Sequence, residues 1–309
     1  LPHGDNAKPI TGRRQSMQLM LTAAGAALLP RLAFAATEVR TLVVDDTPAS
    51  RRAVEALKRR FTQLVLGSEI GTLSRRAGPA VYLVVGPAAL KVATEAGLQA
   101  PLLSLFTARQ AFHQIVEAAM PPPRAITAIY AEVSPADQLR LVSSIFQRRV
   151  TVGVVLTEGS TYLEPLLARA AREMDVVVRT HRTTPNTNMV RELNRLADTD
   201  VVLAVPDVGI FSADNFRDIL ESTYRRGQPI VCFSHGMVAA GCLAAAYAPV
   251  DDVVAQVADL LAELEAGRLP PPRYPAYWRV AVNDNVARSL NIVISPSVRA
   301  LGERPRGSR

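Results

Sequence analysis

The chain has 309 residues, 49% of them hydrophobic and 20% charged, which excludes a disordered segment and leaves room for two packed domains. Two cysteines, Cys232 and Cys242, exclude a disulfide scaffold, and no uninterrupted apolar run reaches the ~18 residues of a membrane span. Of the net charge of +7, Lys8, Arg13, Arg14 and Arg31 against Asp5 place +3 in the first 35 residues, and no stripe of Lys or Arg interleaved with aromatics points to nucleic acid.

Residues 1–35 read as an export signal. Arg13 and Arg14 precede a mostly apolar stretch at 17–29, and Ala33-Phe34-Ala35 has the small-x-small form of a signal-peptidase site. The expected mature chain begins at Ala36 and lies in the periplasm, without stable membrane insertion after processing. The twin arginines fit a Tat signal, but Gln15, Ser16 and Met17 follow them, so Sec and Tat both remain open.

The rest alternates short β-branched runs with amphipathic stretches. Strands are expected at 40–44, 81–85, 101–106, 126–130, 151–156, 175–180, 200–205, 229–233 and 278–282. Helices are expected at 48–63, 87–95, 108–118, 135–147, 161–173, 186–196, 212–226, 235–240 and 250–266. Several strands are apolar on both faces, as a covered parallel sheet requires, so the fold class is α/β with doubly wound sheets. Between helix 48–63 and strand 81–85 there is little room for a full second strand. The halves share one rhythm, and Pro270, Pro271, Pro272 and Pro275 mark an extended return connection. Lobe 1 is expected over 36–128 with about 248–275, lobe 2 over 129–247 with about 276–300, and a basic tail over 301–309. Crossings near 129–131, 247–249 and 275–278 suit a hinge.

Motifs of nucleotide, zinc-peptidase and hydrolase chemistry are missing, and no cofactor or metal is expected. Asp45 and Asp46 form an acid pair at a strand end, or else precede a helix cap at Asp46 or Thr47 before Pro48. His235 is a candidate general base or a loop histidine. What remains is a row of polar or small residues at strand C-terminal ends, where open α/β sheets bind ligands. The candidate ligand contacts are Thr47, Gly86, Pro87, Ala88, Thr107, Ser160, Tyr162, Asp207 and Ser234. The Gly86 helix start offers backbone N–H groups to a carboxylate and Asp207 an acceptor to an ammonium, which makes a zwitterion the expected ligand. Cys232 and Cys242 pair only if their Cα atoms lie roughly 4.4–6.8 Å apart; otherwise they are buried thiols.

Several segments in order resemble one family. Ser134-Pro135-x-x-Gln138-Leu139 follows strand 126–130, and the strand Val152-Gly153-Val154-Val155-Leu156 comes next. Ala204-Val205-Pro206-Asp207 precedes Gly236-Met237-Val238-Ala239-Ala240-Gly241-Cys242-Leu243-Ala244, and Val280-Ala281-Val282-Asn283 with Val286-Ala287-Arg288-Ser289-Leu290 closes the run. Together with Gly86-Pro87-Ala88-Ala89-Leu90 in the first half, this resembles the periplasmic substrate-binding proteins of ABC transporters, of the aromatic amino-acid-binding type. The resemblance implies a type I periplasmic binding protein-like fold: two Rossmann-like lobes, a hinge and an interlobe cleft. The scaffold carries over but the ligand does not, because the loop at 157–163 lacks the family's serine- and asparagine-rich pattern.

Three functions are in view. The leading one is an exported, monomeric, non-enzymatic solute-binding protein that hands a small molecule to an ABC permease. The second is a degenerate relative that senses or binds a partner. The third is a doubly wound enzyme using Asp45, Asp46 or His235; no nucleophile–base set supports it.

Overall fold

The computed structural model describes residues 38–184 and 187–306. The expected export signal and the last three residues of the basic tail lie outside these.

The first half builds one parallel sheet. Its strands are β1 (Glu38–Leu42), β2 (Val65–Gly67), β3 (Ala80–Val85), β4 (Leu102–Thr107) and β5 (Ile126–Tyr130), in the order β2-β1-β3-β4-β5. The connecting helices are α1 (Pro48–Arg60), α2 (Ile70–Ser74), α3 (Gly86–Glu95) and α4 (Arg109–Ala118). Helix α1 starts where the sequence says it must. Pro48 fits the first turn, and Thr47 and Ser50 cap each other, the Ser50 N–H donating to Thr47 Oγ1 at 3.1 Å and the Thr47 N–H to Ser50 Oγ at 2.8 Å.

The second half repeats this order. It contains α5 (Pro135–Phe146), β6 (Val150–Leu156), α6 (Leu163–Arg172), β7 (Val176–Arg182), α7 (Met189–Asn194) and β8 (Val201–Leu203). There follow α8 (Ala213–Arg225), β9 (Ile230–Cys232), α9 (His235–Ala240) and β10 (Ala244–Tyr247). These strands lie β7-β6-β8-β9-β10, the same second-first-third-fourth-fifth arrangement as in the first sheet. Each half is thus an open α/β lobe with a switch point beside its first strand.

The chain passes between lobes three times. After β5 it enters α5; after β10 it enters α10 (Val250–Glu265), whose Val253, Val257, Leu260 and Leu264 join the core of the first sheet with Ala53, Leu57, Leu83 and Leu103. The proline-rich return is extended, as expected. It lies beside β5, the Arg273 N–H donating to the Ala128 carbonyl at 2.9 Å and the Tyr130 N–H to the Arg273 carbonyl at 3.0 Å. It then forms β11 (Trp278–Val282), antiparallel to β10, followed by α11 (Asp284–Ser289), α12 (Pro296–Arg299) and β12 (Gly302–Glu303). Polar ties lace the crossings. Arg279 donates from Nε and Nη2 to the two oxygens of Asp252, both at 2.7 Å, and the Ala276 N–H donates to Gln256 Oε1 at 2.9 Å.

Some elements differ from the sequence reading. The tail does not begin at 301, since Gly302 and Glu303 pair with Arg279 and Trp278. Gly302 has φ +110, and a Cβ there would overlap the Trp278 carbonyl, so only glycine permits this approach. Strand β10 is Ala-Ala-Ala-Tyr, without β-branched residues to announce it; burial between β9 and β11 makes it a strand. The second strand of the first lobe exists but has three residues, in keeping with the short space before strand 81–85.

The Arg279–Asp252 pair makes an asymmetric prediction. Arg279→Ala leaves a carboxylate with 3% side-chain exposure unpaired, at a cost of about 3 kcal/mol. Asp252→Ala leaves a guanidinium that is one-third exposed and can be hydrated, so its cost is smaller. Urea unfolding midpoints of the two variants should therefore fall in that order.

Candidate functional site

The residues picked from strand ends have mostly internal partners. Asp207 is 3% exposed. Its Oδ2 accepts from the Thr157 and Ser160 hydroxyls, both at 2.6 Å, and its Oδ1 from the Gly209 N–H at 2.9 Å. It stitches the end of β6 to the end of β8 across the second lobe's switch point, so in this conformation neither it nor Ser160 faces a ligand. Thr107 is fully buried and accepts from the Ser104 hydroxyl at 3.1 Å. The residue before it, Phe106, has φ +57 at an irregularity in the β4–β5 register. Ser234 caps α9, accepting from the Met237 N–H at 3.3 Å. Thr47 is engaged in its cap, while Gly86 (φ +83), Pro87 and Ala88 form the exposed start of α3 and line none of the cavities described below. Asp46 pairs with Arg51 at 3.0 Å, and the exposed His235 ring lies tilted against the Tyr247 ring with centroids 5.4 Å apart.

Of the picked residues, Tyr162 reaches the junction of the lobes. There the Arg109 guanidinium, from the start of α4 in lobe 1, lies 4.5 Å from the centre of the Tyr162 ring in lobe 2. Beside this contact is an open cavity of about 410 Å³ lined by Arg109, Gln110, His113, Gln114, Glu117, Gly159 and Tyr162. Gly159 lies against the Gln110 side chain of the other lobe, whose amide would have to shift if a Cβ were added there.

Deeper in, Glu132 occupies the first crossing. It is 6% exposed, and its Oε1 and Oε2 accept from the backbone N–H of Arg109 at 3.0 and 3.3 Å. The Tyr274 ring, from the third crossing, packs edge-on to Tyr130 with centroids 5.2 Å apart, and the Tyr130 hydroxyl meets His113 Nε2 at 3.3 Å. The Tyr162 and Tyr274 hydroxyls and Gln138 Oε1 are buried without a hydrogen-bond partner. Glu132, Gln138 and Tyr274 line an inner cavity of about 20 Å³ whose other walls are apolar, chiefly Val133, Leu163, Leu167, Leu203, Val205 and Phe233. This space holds about one water.

The electrostatics follow from burial. Desolvation pushes the Glu132 carboxyl up to about 7, with the Arg109 N–H and charge pulling the other way. Burial also raises the Tyr130 and Tyr162 hydroxyls, and takes Tyr274 up to about 12, so all three stay neutral. Burial, then the Arg109 charge, lowers His113. Arg109, Glu132 and Tyr274 were not among the strand-end candidates. Arg109 and Glu132 stand two residues past the ends of β4 and β5, so a search window two residues longer would have included both; Tyr274 lies more than 140 residues from Glu132 and carried no local signal.

No family model matches the chain, and no curated protein does either. Among solved structures it is similar to a conserved domain protein from Vibrio cholerae O1 biovar El Tor, with TM-score 0.59 and 17% identity over 85% of this chain and 97% of that one. It is also similar to an ABC domain in complex with L-Trp from Streptococcus pneumonia (TM-score 0.59, 16% identity, 85% and 97% covered). A third is the ligand-free, open structure of a substrate binding protein with adhesive properties from Clostridium difficile (TM-score 0.61, 14% identity, 84% and 96% covered). At these identities the likeness defines the fold, which is the two-lobed type I periplasmic binding protein fold. Among the described residues no helix is long and apolar enough to cross a membrane.

Cys232 and Cys242 are buried and unbridged. The Cys232 thiol donates towards the Ala244 carbonyl at 3.5 Å, and contact with Cys232 together with burial pushes the Cys242 thiol upward. Both thiols should resist a thiol reagent in the native protein and react after denaturation.

Two stability predictions follow from the carboxylates. Asp207→Ala removes the acceptor of four hydrogen bonds, from the Thr157 N–H and hydroxyl, the Ser160 hydroxyl and the Gly209 N–H, and should cost about 3 kcal/mol in urea unfolding. For Glu132, whose folded-state value lies above its unfolded one near 4.5, ionisation opposes folding, so stability falls as pH rises from about 4.5 through 7. Relative to Glu132→Gln, the unmodified protein should lose about 3 kcal/mol between pH 4 and pH 8.

Proposed function

We propose that this chain is an exported solute-binding protein that closes on a small molecule between its lobes and hands it to an ABC permease. The observation that carries the reading is the lobe junction: Arg109 of one lobe on Tyr162 of the other, with unpaired buried hydroxyls behind them and three crossings at the side. The structural neighbours named above include proteins described as substrate-binding or bound to L-Trp. Residues 1–35 serve as the signal, 36–128 with about 248–275 form lobe 1, and 129–247 with about 276–300 form lobe 2. The mature protein works in the periplasm as a monomer.

A second reading, a relative that senses or binds a partner, draws on the small inner cavity and on Asp207 being tied within its own lobe. A thermal-shift screen of the mature protein against amino acids, nucleosides and metal chelates separates the two. A true solute at a hundredfold excess over its Kd stabilises by about 2.7 kcal/mol, a rise of several degrees in Tm. Arg109→Ala and Tyr162→Ala should each reduce that rise. No response to any solute, together with unchanged small-angle scattering, favours the partner-binding reading. N-terminal sequencing of exported protein should find Ala36 first.

A further inference from the structure

We infer that the lobe junction recognises a primary ammonium group on an apolar body, with the ammonium against Glu132 and no carboxylate required. The inference rests on the solute-binding reading and specifies the ligand's chemistry.

The argument starts from unmet hydrogen-bonding capacity. Glu132 is buried, and its carboxyl is held by backbone N–H groups alone, that of Arg109 and its own. The Arg109 guanidinium lies over the Tyr162 ring and not in an ion pair with it. The charged and titratable groups facing Glu132 are Arg109 of α4, Tyr130 at the end of β5, Tyr162 ahead of α6 and Tyr274 of the third crossing. All three tyrosines are neutral, and the nearby cation, Arg109, acts on the carboxylate through its charge at a distance without forming an ion pair with it. Gln138, 5% exposed, donates from Nε2 to the Ala246 carbonyl at 2.9 Å, which fixes its amide and leaves Oε1 unpartnered on the same inner cavity. The cavity therefore offers carboxylate and amide acceptors, plus a Tyr274 hydroxyl that can accept as well. A group with three N–H donors and a positive charge satisfies that set; a carboxylate or a lone hydroxyl does not. The surrounding Leu163, Leu167, Leu203 and Phe233 suit a hydrocarbon body. The exposed Gly86 helix start, the expected carboxylate cradle, lies outside both cavities.

Four probes that share one hydrocarbon frame test this: phenethylamine, L-phenylalanine, 3-phenylpropionate and 2-phenylethanol, titrated calorimetrically at pH 8. Phenethylamine is expected to bind at least tenfold tighter than 3-phenylpropionate and 2-phenylethanol. Glu132→Gln keeps an acceptor for the Arg109 N–H while removing the charge, and should weaken phenethylamine at least tenfold without affecting 2-phenylethanol. A readout in the unsubstituted protein does not depend on that variant folding. At pH 6, titrations in two buffers of different ionisation heat should show proton release when phenethylamine binds, because the ammonium favours the ionised Glu132.

Phenethylamine binding no tighter than 2-phenylethanol, undiminished binding by Glu132→Gln, or no proton release each overturns the inference. If amino acids without apolar side chains, nucleosides or chelates raise Tm while phenethylamine does not bind, the ammonium inference fails and the solute-binding reading stands. If nothing binds, both fail.

Discussion

The Arg279–Asp252 pair lies where the chain changes lobe, and the functional part of the molecule depends on the segments it fixes. Asp252 opens α10, which packs on the first sheet, and Arg279 is in β11, which extends the second. A bidentate pair at 2.7 Å, with Gln256 holding the Ala276 N–H and Asp259 accepting from the Tyr277 hydroxyl at 2.9 Å, makes the second and third crossings one unit. Three independent linkers would let the lobes slide and twist freely. With two crossings linked, the first, at 131–134, is the segment left to absorb a change of angle in the proposed parting of the lobes.

The polar residues at the strand ends have a structural use of their own. At the C-terminal edge of a parallel sheet, the chain must also close its own loops. Thr107, Ser160, Asp207 and Ser234 have the small polar side chains that suit a ligand, and they suit caps and loop closure equally well; here they serve the second purpose. Some of these partners are close in sequence, Asp207 to Gly209, Ser160 to Thr157 and Ser234 to Met237, while Asp207 also joins Thr157 and Ser160 from the neighbouring strand end. The residues left over for the junction are longer, Arg109, Glu132, Tyr162 and Tyr274, and they come from elements that touch only in the folded chain.

The fold itself was far more legible. Val81, Leu83 and Val85 on one face with Tyr82 and Val84 on the other, or Val152 and Val154 with Val155, announce strands buried on both faces, and Thr47-Pro48 and Ser134-Pro135 announce helix starts. The hidden elements share a cause: they are strands or helices because of neighbours, not because of their own residues. β10 is mostly alanine, β2 pairs along one edge with β1, and β12 depends on Gly302 approaching the Trp278 carbonyl. The repeated strand order was hidden for the opposite reason. The shared rhythm of the two halves was visible, but order in a sheet is set by long-range pairing, which leaves no periodic mark in sequence.

Glu132 joins these two levels. It is not on either sheet; it belongs to the first crossing, and it anchors that crossing to the start of α4 through the Arg109 N–H. The Arg109 side chain in turn carries the contact to Tyr162 in the other lobe. One residue thus holds the bend by its backbone neighbour and faces the inner cavity with its carboxyl. A buried carboxyl near neutrality is destabilising when ionised, so it opposes the closed form unless a cation accompanies it. On the proposed solute-binding reading, closing the lobes on an empty junction then costs more at higher pH, and closing them on a matched cation recovers that cost. On that reading the electrostatic penalty of the empty junction makes closure selective for what fills it, because the free energy that separates filled from empty is set by the charge buried in the bend.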